Sequence, residues 1–158
     1  TRARAKLSVP SNPIAAANAP ASIIPSTEML SVPARSATHS PTAANARASG
    51  KVLLAFGGVS LPGGTLKAYT PNTIVDRAQL ERELARVRSQ GWAQAVRERE
   101  EDLNAIAAPV RDGMAELVAV IGVQGPASRF GEGPMHDARR PLLAAAAALS
   151  ATLGWTGE

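Results

Sequence analysis

Apolar and polar positions alternate regularly only in the part of the chain after residue 41. The stretch Thr42–Phe56 is rich in Ala and Leu and is followed by Gly57, so it predicts a helix. Gly50 inside this stretch costs a helix about 1 kcal/mol relative to Ala. We therefore expect the backbone to approach a neighbouring segment closely at Gly50.

The clearest helical period lies in Asp76–Gln90. Its apolar side chains recur at spacings of four and three residues and define one face: Leu80, Leu84 and Val87. Asp76 is a favourable N-cap with Gln79 three residues later, as in a capping box. Gly91 follows the last periodic residue and predicts the end of the helix there.

Beyond Gly91 the period shortens and predicts a sheet. Three strands are expected, at Trp92–Val96, Leu103–Val110 and Glu116–Gln124. An Asp-Gly pair within 111–114 favours a hairpin between the last two strands. The continuous run LVAVIGV predicts a strand that is buried on both faces, and Gly125-Pro126 is expected to stop it.

A last helix is expected from Pro134, as its first residue, to about Leu153. It is rich in Ala, and its large apolar side chains predict one packed stripe: Leu142, Leu149 and Leu153. Before residue 41 the chain is rich in Ala, Ser and Pro, which is typical of a loosely ordered arm. Two stretches there can still form strands, Ala5–Val9 and Ser22–Val32.

The predicted order is strand, strand, helix, helix, strand, hairpin and helix. Adjacent antiparallel strands with helices around them indicate an α+β fold, in which one antiparallel sheet is flanked by helices. A chain of 158 residues is long enough for one domain with a real core. It contains no Cys, which excludes disulfides, thiolate metal sites and a cysteine nucleophile.

The net charge of +4 first suggests a nucleic-acid-binding protein. The charge is unevenly distributed, however. Residues 1–50 hold five basic side chains and one acidic side chain, whereas residues 51–158 hold twelve of each. We therefore expect no basic groove on the regular part of the chain. No apolar run is long enough to span a membrane, and the expected location is the cytoplasm.

Motifs for phosphate binding and nucleophilic catalysis do not fit this sequence. A P-loop requires Lys where Gly64 stands, and Lys67 comes three residues too late. No GxSxG elbow is present, and neither His39 nor His136 has the context of a catalytic triad. We predict no catalytic residues, no metal and no cofactor.

An acidic cluster follows the first strand of the sheet: Glu98, Glu100, Glu101 and Asp102. Such a cluster can bind Mg²⁺ or supply an acid/base pair. Arg97 and Arg99 alternate with it, so we interpret it as a solvated strand end, with Glu98 as the one member that could turn inward. Small residues cluster at Ala46–Gly50, at Ala105, Ala107 and Ala108, and at Gly122, and they leave room for a ligand cavity between neighbouring elements.

Several motifs together are recognisable: ARASGKVLLAF, LKAYTPNTIVD, ELARVRSQGWA, AIAAPVRD and VIGVQGPASRF. In order and spacing they resemble the C-terminal effector-binding domain of IclR-family bacterial transcription regulators. The resemblance covers roughly residues 22–154, whereas residues 1–21 form a poorly matched leading segment. The string IIPSTEMLSVPAR is similar to the branch of this family that senses aromatic acids.

The resemblance implies a GAF/profilin-like fold over residues 22–158. It further implies a domain that binds a small organic acid and forms a homodimer or homotetramer. DNA would be bound only through a separate winged helix-turn-helix domain, which we expect to be absent from this chain. The implied effector-binding residues are Ala48, Ser49, Glu98, Leu103, Ala105, Gly122 and Gln124.

The sequence departs from the family pattern at three positions. Members commonly have Gly at position 102, Cys or Ser at 105, and Ser or Thr at 122, where this chain has Asp102, Ala105 and Gly122. Losing the hydroxyl or thiol groups at positions 105 and 122 makes the pocket more apolar. The departures leave open an oligomerisation module with a degenerate pocket. A separate alternative, based on the acidic cluster, is a small acid/base enzyme that uses Glu98 and Glu100.

Overall fold

The computed structural model of the chain describes residues 32–33, 41–61 and 63–157. The predicted strand Ala5–Val9 and most of Ser22–Val32 lie outside these residues. A 3-10 helix spans Pro41–Ala46. The helices and strands of the described part are β1 (Val32–Pro33), α1 (Ala48–Phe56), α2 (Arg77–Gln90), β2 (Ala93–Val96), β3 (Leu103–Arg111), β4 (Leu117–Pro126) and α3 (Glu132–Thr152).

The described strands form one antiparallel sheet in the order β1-β4-β3-β2. Helix α1 packs on one face of the sheet, α2 packs on the outside of α1, and α3 covers the other face. The α+β fold expected from the sequence is confirmed. No helix in the described part of the chain is both long and apolar enough to cross a membrane.

The two sheet faces have different cores. The α3 face buries the larger side chains, such as Ile106, Val110 and Ile121, against Met135 and Leu142 of the helix. The α1 face is lined mostly by small side chains: Ala48, Ala93, Ala95 and Ala107, with Ala105 packed against them. Small side chains on this face allow α1 to lie close to the strands.

The predicted helix Asp76–Gln90 is confirmed almost residue for residue. The carboxylate of Asp76 accepts a hydrogen bond from the backbone N–H of Gln79, at 2.7 Å. Gly91 adopts the left-handed conformation with φ 80, as a helix C-terminus of this kind requires. The predicted apolar face is buried against α1 and the sheet.

The predicted helix Thr42–Phe56 is wrong as one continuous element. Arg47 has extended dihedral angles (φ −128, ψ 141), which separate the 3-10 helix from α1. The break lets the 3-10 helix fold back on α1, where Gly50 faces the backbone of Ala44. A Cβ atom at Gly50 would lie within 3.0 Å of that backbone, so the expected close approach is confirmed.

The hairpin between β3 and β4 is confirmed, but its loop lies one residue further along the chain than predicted, at 112–116. Val118 of β4 is the extra residue in the register beside Val110 and Arg111. The loop closes through Asp112, whose carboxylate accepts from the N–H groups of Met114 and Glu116. The left-handed residue of the loop is Ala115, with φ 64, and not Gly113.

Strand β4 and helix α3 correct four further predictions. β4 continues through Gly125-Pro126 because residues 125 and 126 still pair with β3. Its run LVAVIGV is fully buried only at Val120 and Ile121. α3 begins at Glu132, so Pro134 is its third residue. Of its three Leu positions only Leu142 is buried, since Leu149 and Leu153 are 43% and 49% exposed.

Candidate functional site

Four of the seven residues expected to bind an effector meet on the α1 face of the sheet. Ala105 pairs with Gln124 across β3 and β4, and Ala107 pairs with Gly122. Directly opposed residues of an antiparallel pair point to the same face. Ala48, in the first turn of α1, packs in the same apolar cluster as Ala105 and Ala107.

Two further residues expected to bind the effector, Leu103 on β3 and Ser49 on α1, flank this group. Leu103 precedes Ala105 by two residues, lies opposite Pro126 and is half-buried. Ser49 is half-buried in the first turn of α1. Arg47, at the N-cap, gives no side-chain hydrogen bond to this turn, although its carbonyl oxygen accepts from the N–H of Lys51 at 3.0 Å. The amide groups of a first helical turn favour an anion.

Gln124 is the polar side chain of this group that can reach a ligand. It is half-buried, and it makes no side-chain hydrogen bond to any residue in the described part of the chain. Its amide offers both a donor and an acceptor. Around it the α1 face presents methyl groups and glycine, so the side chain stands in apolar surroundings.

Gly122 has little free space. A Cβ atom there would lie 2.9 Å from the carbonyl oxygen of Ile106 and 3.5 Å from the Cβ of Ala107. In this chain Gly122 therefore serves the close packing of β3 and β4.

Glu98 turns inward and forms a buried ion pair. Its Oε1 accepts a hydrogen bond from Lys51 Nζ at 2.7 Å, and the two side chains are 10% and 1% exposed. Lys51 Nζ also donates to the carbonyl of Gln94 at 2.9 Å and lies 3.6 Å from Glu83 Oε1. The pair joins α1 to the end of β2 and to α2. Glu98 is thus the member of the acidic cluster that turns inward, as the sequence allowed, whereas Glu100, Glu101 and Asp102 are exposed.

Burial raises the pKa of the Glu98 carboxyl above its ordinary value of 4.5. The positive charge and the hydrogen bond of Lys51 lower it, but the loss of hydration is the larger effect. The second oxygen, Oε2, is buried without a hydrogen-bond partner among the described residues. Glu100, by contrast, is exposed, so the two carboxylates do not form the buried acid/base pair considered above.

A threonine-containing loop holds the backbone of Glu98 in place. Thr73 Oγ1 donates to the Glu98 carbonyl at 2.6 Å, and Thr70 Oγ1 donates to the Arg97 carbonyl at 2.6 Å. Arg97 itself has φ 54, a left-handed conformation that is strained for a side chain with a Cβ. Asn45 binds the same loop from its other side, because its Nδ2 donates to the Ile74 carbonyl at 2.9 Å.

The sequence did not identify Lys51, Thr73 and Asn45 as site residues. Lys51 lies in the ARASGKVLLAF motif, which by itself implies no role for this side chain. The spacing could have marked it, because Lys51 follows Ala48 by three residues and therefore lies on the same face of the helix. Asn45 in an Ala-rich stretch offered no such signal, since its partners lie 22 and 29 residues away.

Comparison with known proteins decides which family this fold belongs to. A model of the family described as "Bacterial transcriptional regulator IclR C-terminal" matches residues 23–151 of the chain. The chain belongs to the IclR family. The expected family is therefore confirmed, and the acid/base enzyme is set aside because the matched relatives are transcription regulators.

Relatives of this IclR-family domain are longer than the chain. The HTH-type transcriptional regulator XynR of Escherichia coli (strain K12) is 32% identical over 116 residues, which is 70% of this chain and 46% of XynR. The chain thus spans about half the length of the curated relatives it matches.

Two solved structures are similar in fold and sequence. The C-terminal domain of the E. coli transcriptional regulator KdgR is 33% identical, with a TM-score of 0.62 and 71% of each chain covered. The inducer-binding domain of PobR from Acinetobacter, a double mutant in complex with 3-hydroxybenzoic acid, is 27% identical with a TM-score of 0.61. That alignment covers 68% of this chain and 65% of the other.

Proposed function

We propose that this IclR-family domain binds a small aromatic carboxylic acid on the α1 face of its sheet. The observation that carries the proposal is the convergence of Ala48, Ala105 and Gln124 on that face. The body of the ligand would lie against the methyl groups. Its carboxylate would meet the Gln124 amide and the backbone N–H groups of Ser49 and its neighbours in the first turn of α1.

Two further observations support an aromatic ligand. The strand positions that commonly carry hydroxyl or thiol groups in this family are Ala105 and Gly122 here, so the face is apolar. A similar domain, that of PobR, is described in complex with 3-hydroxybenzoic acid. Ser49 and Gln124 orient the acid, while Leu103, Ala105 and Gly122 shape the site.

Binding regulates through a shift in population. An effector that binds one arrangement of a dimer or tetramer more tightly favours that arrangement. The spacing of DNA-binding domains attached to it changes as a consequence. DNA contact belongs to those attached domains in this proposal.

The test is calorimetric titration of the full chain with benzoate and with 3-hydroxybenzoate, each compared with its neutral amide. We expect the acids to bind and the amides to bind at least tenfold more weakly. Gln124→Ala is expected to weaken the acids about tenfold, or about 1.4 kcal/mol. The exposed Gln79→Ala is the matched control and should change nothing.

A second candidate function is supported by the packing of Gly122. Because its surroundings are tight, the domain could act as an oligomerisation module whose pocket is degenerate. In that case sedimentation analysis finds a stable dimer or tetramer, and no carboxylic acid of the panel changes either the assembly or the melting temperature. Binding that Gln124→Ala weakens excludes this second candidate.

A further inference from the structure

A concave site lies apart from the proposed effector site. It is a cleft of about 480 Å³ between the second half of α3, the end of β3 and residues 155–157. Its floor includes Ala108, which belongs to the α3 core, whereas Ala105 and Gln124 belong to the α1 face. The volume is within the roughly 300–1,000 Å³ of small-molecule sites.

The cleft combines an apolar wall with one charged side chain. Small and apolar residues form most of the described lining, among them Ala108, Pro109, Leu143, Ala146 and Ala147. Arg111 is the charged residue of that lining, and no acidic residue contributes to it. A single positive charge at an apolar cleft selects a ligand with one negative charge and a hydrocarbon body.

Two aromatic rings hold the guanidinium of Arg111. Its centre lies 4.6 Å from the Phe56 ring, which comes from α1, and 5.3 Å from the Trp155 ring, which follows α3. Among the described residues no carboxylate lies within 4.0 Å of this group, and its N–H groups donate no side-chain hydrogen bond. The donors are therefore positioned but unused.

A fixed guanidinium with unused donors suits a carboxylate, which it binds through two parallel hydrogen bonds. The backbone beneath it is rigid, because the Arg111 N–H donates to Ser150 Oγ and that hydroxyl donates to the Ala146 carbonyl. Trp155 adds a flat apolar surface beside the charge. Together these contacts favour a carboxylic acid ligand whose hydrocarbon body is flat.

We propose that this cleft binds a small monocarboxylate with a planar apolar body, its carboxylate on Arg111 and its ring against Trp155 and the Ala wall. The site is independent of the effector site on the α1 face. A ligand here contacts β3 and α3 and, through Arg111, the end of α1.

The test uses 1-naphthoate as the probe and Trp155 fluorescence as the signal. Trp92→Phe in the full chain removes the other tryptophan. We expect saturable quenching by 1-naphthoate and at least tenfold weaker quenching by 1-naphthamide. Arg111→Gln should weaken binding at least tenfold, whereas Arg111→Lys should retain part of it.

Steric variants locate the site without altering the charged group. Ala147→Phe fills the cleft and should abolish quenching, whereas the neighbouring Ala148→Phe, outside the lining, should not. Gln124→Ala should leave this binding unchanged.

Weakening by Gln124→Ala but not by Ala147→Phe would place the probe at the effector site and overturn the cleft proposal while sparing the proposed function. A Trp155 signal that varies with protein concentration and not with 1-naphthoate would show that a second copy covers the cleft, and would also overturn the proposal.

Discussion

At the scale of single residues, the most consequential interaction is the buried pair of Lys51 and Glu98. Hydration lost on burial costs each charge several kcal/mol, and the short contact between them offsets much of that cost. Lys51 also satisfies the Gln94 carbonyl, so its ammonium has three acceptors around it. Removing one member of the pair therefore costs far more folding stability than replacing both members together.

Lys51→Met is expected to lower the free energy of unfolding by about 3–5 kcal/mol, because it leaves the Glu98 carboxylate buried without its counter-charge. Urea denaturation measures this loss. The double variant Lys51→Met/Glu98→Leu should lose less than the sum of the two single variants. Lys67→Met, at an exposed position, is the control. A loss below about 1 kcal/mol for Lys51→Met would contradict the structure.

The raised pKa of Glu98 predicts how stability depends on pH. The folded state holds this proton more tightly than the unfolded state, whose carboxyl titrates near the ordinary value of 4.5. The contribution of Glu98 is thus fully present below that pH and is lost as the pH rises through the folded pKa. Glu98→Gln removes this dependence.

The stability of the wild type relative to Glu98→Gln should therefore fall as the pH is raised from about 4 to about 8. Urea denaturation across this range measures the difference. Glu81→Gln removes a carboxylate from an exposed position of α2 and serves as the comparison. A difference that grows with pH would mean that Lys51 lowers the Glu98 pKa more than burial raises it.

At the scale of elements, the 3-10 helix and α1 form one closely packed corner. Gly50 allows the backbones to touch, and Asn45 carries the corner's only buried side-chain amide among the described residues, bonded to the loop at 67–74. That loop in turn holds Glu98 through Thr73. The start of α1, where the effector carboxylate is proposed to bind, thus depends on contacts made by three separate segments.

Gly50→Ala should lower the free energy of unfolding by about 1–3 kcal/mol, because its Cβ collides with the backbone of Ala44 despite the better helix propensity of Ala. Gly133→Ala, in the first turn of α3 with nothing within 4 Å, is the matched control. The control should be neutral or stabilising by up to about 1 kcal/mol. Equal effects of the two substitutions would show that the corner relaxes without cost.

Sequence patterns predicted these elements well where the period is local. Asp76–Gln90 is an example, since its cap, its apolar face and its terminal glycine all lie within sixteen residues. The break at Arg47 was not predicted, because it depends on packing of the 3-10 helix against α1. The continuation of β4 through Pro126 was missed for a similar reason, as pairing with Leu103 sustains it.

The candidate site was predictable only in part. Ala48, Ala105 and Gly122 belong to the groups of small residues that indicated a cavity, whereas Gln124 came only from the family resemblance. The ion pair of Glu98 was not predictable, because its partner lies 47 residues earlier and nothing local marks the two as neighbours. The cleft at Arg111 is formed by segments 91, 108–111, 143–150 and 155–157, which only the tertiary fold brings together.

At the scale of the whole molecule, the excess positive charge and most of the helices and strands lie in different parts of the chain. Residues 51–158 carry equal numbers of acidic and basic side chains, and the entire excess of +4 lies in residues 1–50. The sheet and its helices therefore present no net attraction for a polyanion. Any affinity of this chain for DNA should come from its first fifty residues.

Replacing Arg2, Arg4 and Lys6 by Gln should weaken binding to a random-sequence DNA duplex and reduce its dependence on salt. Each lost phosphate contact lowers the slope of log K against log salt by about 0.9. Fluorescence anisotropy at several salt concentrations measures both quantities. The same replacement at the exposed Arg82, Arg129 and Arg140 should have little effect. Equal losses for the two triple variants would contradict the charge argument.

In the described part of the chain, β1 lies beside β4, with Val32 opposite Val120 and Pro33 opposite Ala119. Pro33 has no backbone N–H to donate to a neighbouring strand. On its other side, β4 pairs with β3 along almost the whole length of that strand. We expect the amide protons of β4 that face β1 to exchange with solvent before those that face β3. The seam that opens most readily therefore runs along the strand that carries Gly122 and Gln124. An effector bound at those residues, as proposed above, would tighten or loosen this seam and so act on the segment of the chain that precedes β1.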